Sequence, residues 1–112
     1  MAEDTMVLTF ENVSVAEANR YAEDLRRDLL DADPSVQVQR RRYDPNSLDF
    51  GASLVLVLGA PAVVVLAKAV EKWLIRNNAA SIRLEGPDGI LIAKNLDSKN
   101  AAAVLEAFRR GH

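Results

Sequence analysis

The sequence predicts an α+β domain, with helices packed on one sheet, and three observations predict it. Apolar residues recur at helical spacing from Ala18 to Leu29 and again from Ala101 to Phe108. Residues alternate with period two at Val36–Arg40 and Ser81–Glu85. Between them, from Phe50 to Ala67, lies a long stretch in which no residue carries charge. Periods of 3.6 and 2 on one chain, in alternating order, are what helices lying against a sheet require.

The first strand is expected at Met6-Val7-Leu8-Thr9-Phe10, β-branched and largely apolar. Ser14, followed three residues later by Glu17, is a capping box that opens a helix. Ala18, Tyr21, Ala22, Leu25 and Leu29 form its inward stripe, and Pro34 predicts a stop near Ala32-Asp33. Val36 to Arg40 reads as a second strand, and Tyr43 to Ser47 as a turn. Phe50 to Asn77 is expected to be one long, mostly helical element, bent or broken at Gly59-Ala60-Pro61. A strand at Leu54–Leu58 is the alternative, because a short apolar run has no period to decide between them. Ser81–Glu85, the turn Gly86-Pro87-Asp88-Gly89 and Ile90-Leu91-Ile92 form a β-hairpin. Asp97 or Ser98 caps a last helix with Ala101, Val104, Leu105 and Phe108 inward and Arg109-Arg110 at its negative end. The expected architecture over residues 1–112 is thus a single domain with a four-stranded mixed sheet. Its order is strand-helix-strand, long central helix, β-hairpin, C-terminal helix.

Composition narrows the chemistry. With 112 residues the chain suits one domain, and 49% apolar and 27% charged residues are ordinary for a globular one. The absence of cysteine removes disulfides, thiol nucleophiles and cysteine-based zinc sites. A net charge of −2 gives no general attraction to nucleic acid or acidic lipid. Met1-Ala2-Glu3-Asp4 is acidic where a secretory leader is basic, so a cytoplasmic location is expected.

No reactive constellation emerges. The lone histidine, His112, is the final residue in a sequence with no partner for it. Asp24 and Asp28 share a helix face, but Arg20 and Arg27 surround them, as on an ion-paired surface. Gly86-Pro87-Asp88-Gly89 precedes a strand and lacks the Gly-Lys-Ser/Thr ending of a phosphate loop. Asn12-Val13-Ser14 has the form of a glycosylation acceptor, yet Ser14 is better used as the helix cap. No catalytic residue, metal or cofactor is therefore expected. Arg40-Arg41-Arg42 is the one charge cluster. Alternation sends Arg40 and Arg42 to the face of Val36 and Val38 and Arg41 to the other, which suits a rim for an acidic partner better than a nucleic-acid groove. Trp73 is expected to be a core or interface anchor. Phe50–Ala67 holds eighteen uncharged residues, but Gly59, Pro61 and the acidic Asp49 flank weigh against a membrane span.

The same residues, in order, resemble a known family. A helix containing Tyr21-Ala22-Glu23-Asp24-Leu25-Arg26 ends in Asp31-Ala32-Asp33-Pro34 and leads to a charged strand. A Gly/Ala/Val/Leu-rich segment closes on Lys72-Trp73-Leu74-Ile75-Arg76, and the hairpin Ile82-Arg83-Leu84-Glu85-Gly86-Pro87-Asp88-Gly89 follows. From Tyr21 to Leu96 the chain looks like the effector-associated constant component family of bacterial conflict (anti-phage or immunity-like) systems. The resemblance implies a non-enzymatic adaptor whose partners are protein effectors or NTP-dependent signalling components, and it supplies no catalytic motif. The alternative is a peripheral membrane-associated or self-associating scaffold that uses the central apolar helix, and homo-oligomers are compatible with both.

Overall fold

Ser14 starts the first helix through a bond of its own. Its Oγ accepts the Glu17 backbone N–H at 3.1 Å, satisfying one of the donors a helix start leaves open. Helix α1 runs Val15–Ala32. At its end the Asp33 carboxylate accepts the Ser35 N–H and hydroxyl at 3.0 and 2.7 Å, which turns the chain into the next strand. The inward stripe is the expected one: Ala18, Ala22, Leu25 and Leu29 are fully buried, with Tyr21 half-buried beside them.

The computed structural model describes residues 4–41, 53–58, 62–86 and 90–111. The other elements are β1 (Asp4–Glu11), β2 (Gln37–Arg41), β3 (Ser53–Leu58), α2 (Ala62–Arg76), β4 (Ser81–Glu85), β5 (Leu91–Leu96) and α3 (Ala103–Gly111). The chain is α+β, as expected, but the sheet has five strands in the order β2-β3-β1-β4-β5, and every neighbouring pair is antiparallel.

Two expectations about the sheet are corrected here. The long central helix does not form: Ser53–Leu58 is a strand, and only Ala62–Arg76 is helical. The sheet is also not mixed, because β3 lies between β1 and β2 and separates two strands that run parallel. The physical cause is the same in both cases. Leu54 and Leu56 are buried beneath the helices while Val55 and Val57 lie half-buried on the other face, so the run is apolar on both faces and lacks the alternation that reveals a strand. Residues Gly59, Ala60 and Pro61, expected to kink a helix, lie outside the described residues, as do Arg42, the turn at 43–47, Pro87-Asp88-Gly89 and His112.

With β3 in place, the first six elements alternate as β1-α1-β2-β3-α2-β4 across the order β2-β3-β1-β4, the plan called split βαβ or ferredoxin-like. β5 extends the sheet beyond β4, and α3 follows it. The strand directions require α1 and α2 to run antiparallel to each other on the same face. Register fixes which residues meet them. Met6 faces Leu56, Leu8 lies between Leu54 and Leu84, and Phe10 faces Ile82, all buried against the helices. From above, α2 supplies Val63, Leu66, Ala67, Val70, Trp73 and Leu74, and α3 supplies Val104, Ala107 and Phe108. Each large side chain removed from water stabilises by about 1.5–3 kcal/mol, so this one continuous core carries the fold.

The hairpin is less regular than its sequence implies. β4 and β5 shift register twice, and Asn95 adopts φ 61°, with its N–H donating to Glu11 Oε1 at 2.9 Å. A positive φ is tolerated by asparagine better than by most residues. The irregularity and the exposed Lys94 blunt β5 as an outer edge.

Candidate interaction surface

Three aromatic side chains anchor the contact between α1 and α2. Phe10, Tyr21 and Trp73 stack with ring centroids 5.3–5.7 Å apart, the Tyr21–Trp73 pair edge-on at 86°. Trp73 is 0% exposed, so of its two expected roles it fills that of core anchor. Its indole N–H is satisfied by Asp24 Oδ2 at 2.8 Å, a bond that joins residues 49 positions apart and fixes the two helices' relative height.

Above this anchor the helices carry opposite charge. Five carboxylates and three guanidiniums leave α1 at −2. On α2, Lys68, Lys72 and Arg76 against Glu71 leave +2. Asp24, Asp28 and Asp31 on one side, and Lys68, Lys72 and Arg76 at spacing i, i+4, i+8 on the other, follow the seam between them. Asp28, Asp31, Lys68, Lys72 and Arg76 line a shallow groove of ≈ 460 Å³ with Val65 and Ala69 in its floor. Arg76 bonds to Asp28 and lies 3.9 Å from Asp24. That hydrogen bond, and then the Asp28 charge, raise the Arg76 pKa above its ordinary value, so the guanidinium stays protonated at every pH below the arginine range. The sequence pairs Asp24 and Asp28 with Arg20 and Arg27 of their own helix, whereas the cation they meet is Arg76 of α2. Lys68, Lys72 and Asp31 make no ion pair among the described residues.

The outer stripe of α2 also carries apolar side chains. Val64, Val65 and Ile75 are 40%, 38% and 58% exposed, on the side of the helix opposite Val70 and Trp73. Helical spacing sets Val64, Ile75, Lys68, Lys72 and Val65 within one turn-facing arc, a mixture of hydrocarbon and ammonium. Sequence reading absorbed Val63–Leu66 into one apolar run. Its excess length over what a single core-facing stripe needs was the available signal.

Of the three clustered arginines, Arg40 is the one whose side chain is described. Arg40 turns to the helix face, opposite Leu54, where its guanidinium meets Glu23 Oε2 at 3.2 Å and Asn19 Oδ1 at 3.0 Å. It ties β2 to α1. Arg41 pairs with Ser53 in the strand register, and Arg42 lies outside the described residues. The face of the sheet turned from the helices carries Thr5, Val7 and Thr9 on β1 and Ser53, Val55 and Val57 on β3. There Thr9 and Ser53 share a hydrogen bond of 3.3 Å, and Arg83 pairs with Glu85 at 3.3 Å.

Among the described residues carboxylates meet hydroxyls at two places, Ser14–Glu17 and Ser35–Asp33, and both are exposed features of helix termini. A second hollow, lined by Arg20, Tyr21, Glu23, Asp24, Arg27 and Asn77, places two carboxylates together, but Glu23 is bound to Arg26 and Arg40 and Asp24 to Trp73. Among the described residues no group of three or more His, Cys, Asp or Glu could hold a metal ion, and no helix is long and apolar enough to cross a membrane. Comparison with protein-family models, with curated proteins and with solved structures finds no match for the chain.

Proposed function

We propose that this chain is a non-enzymatic adaptor that binds protein partners through the outer surface of α1 and α2. The observation that carries the reading is the α2 stripe, where Val64, Val65 and Ile75 stay in contact with water beside Lys68 and Lys72. An apolar group exposed between unpaired cations gains by docking, both from area removed from water and from charge it can meet. The carboxylates that approach one another are engaged by arginines or by the indole, which suits a contact surface better than an acid–base pair.

The resemblance to effector-associated constant components points the same way. It makes the partner a protein effector or an NTP-dependent signalling component encoded nearby, in the cytoplasm. The test is co-purification of the tagged chain with products of neighbouring genes, using wild type and Ile75→Asp. Ile75 is largely exposed, so the variant's melting curve is expected to stay within about 0.5 kcal/mol of wild type. Partner capture is expected to fall by more than about tenfold. Capture unchanged in the variant, or no partner among the neighbours, contradicts the reading.

A further inference from the structure

The charges along the α1/α2 seam are arranged so that the surface complements itself, and we infer that two copies of this chain pair there about a two-fold axis running along the groove. The inference deepens the adaptor reading by naming one partner of its contact surface.

The geometry decides the axis. α1 at −2 and α2 at +2 lie side by side and antiparallel. A two-fold axis lying in the interface parallel to the helices sets α1 of each copy over α2 of the other. An axis across the helices would set acid over acid and base over base. Residues that face each other across one groove at the same height exchange places under the first operation. The helices run antiparallel with Trp73 bonded to Asp24 and Arg76 to Asp28, which sets Asp31 near the height of Lys68 across the groove both line, so each Asp31 comes over the Lys68 of the second copy. Isologous contacts of this kind satisfy every pairing twice.

Three further features fit. Arg76 and Asp28 already neutralise each other within one chain, so the groups left to meet a second copy are Asp31, Lys68 and Lys72. Val64, Val65 and Ile75 bring apolar area from both copies to the same layer. The opposite electrostatic choice, an anionic membrane under Lys68 and Lys72, would bring the acidic α1 against like charge.

Sedimentation and light scattering on the intact chain test this. Wild type is expected to form dimers that weaken at about 1 M salt, where screening acts over roughly 3 Å. Lys68→Glu and Asp31→Lys, both exposed, should each stay folded by circular dichroism and each lose dimerisation by more than about tenfold. Mixed together, the two variants should recover it. In the mixed dimer one seam pairs the native Asp31 with the native Lys68, and the other pairs the substituted residues with their charges exchanged. A wild-type chain that stays monomeric up to about 1 mM overturns the inference. So does a dimer indifferent to both substitutions, or a mixture that does not re-form. If the monomeric chain still captures a neighbouring gene product through Ile75, the adaptor reading survives and only self-pairing falls.

Discussion

Replacing Trp73 with alanine is expected to cost about 3–5 kcal/mol, the largest single effect in the chain. Three contributions coincide at this residue. Its side chain is fully buried, its ring contacts both Phe10 and Tyr21, and its N–H is the buried donor to Asp24. The cavity would open beneath the α1/α2 seam, beside Phe10 and Tyr21. Against a typical domain stability of about 5–15 kcal/mol, a melting-temperature drop of roughly 15 °C or more is expected. Trp73→Phe separates the causes. It keeps most of the area and removes the N–H, and because Asp24 remains partly in water its cost should be nearer 1 kcal/mol plus the smaller ring's lost contacts. Equal and small effects for both variants in urea melts would show that the tryptophan is not the anchor between the helices.

The second large effect distinguishes a strand from a helix at the centre of the chain. Leu54→Ala and Leu56→Ala are each expected to cost about 2–5 kcal/mol, because both side chains are fully buried on the helix-facing side of β3. Val57→Ala, on the other face and half-buried, should cost about 1 kcal/mol. Period two groups residue 54 with 56, whereas a helix would group 54 with 57 and 58. Denaturant midpoints of the three variants decide it: a costly Val57→Ala beside a mild Leu56→Ala would return the segment to a helix.

The contrast between those elements explains what was legible in the sequence. Ser14 with Glu17, Pro34 after α1 and the alternation of Ser81–Glu85 are local signals, and each marks its element within a residue or two, whereas Asp97, expected to cap the last helix, caps the short 3-10 turn Ser98–Asn100 and α3 begins only at Ala103. β3 was legible only as the alternative to a helix, because Leu54–Leu58 is apolar on both faces, and the information that separates strand from helix there is the partner strand, not the run itself. Arg40 could be placed on its face by alternation, but its partner Glu23 sits on a helix 17 residues earlier, so its bracing of β2 to α1 shows only in the fold. The α1/α2 groove was equally out of reach. Asp28 and Arg76 are 48 residues apart, and only the crossover that sets the two helices side by side joins them. What the sequence did carry was the composition of that surface, with its acids on one helix and its lysines on the other.

Both halves of the account rest on how the described apolar residues of β3 and α2 are divided: inward through Leu54, Leu56 and one side of α2, outward through the arc of Val64, Val65 and Ile75. Radical footprinting of side chains in dilute solution measures that division directly. Modification is expected at Val64, Val65 and Ile75 and not at Leu54, Leu56, Leu66, Val70 or Leu74. Labelling of Leu66 and Val70 as strong as that of Ile75 would contradict it.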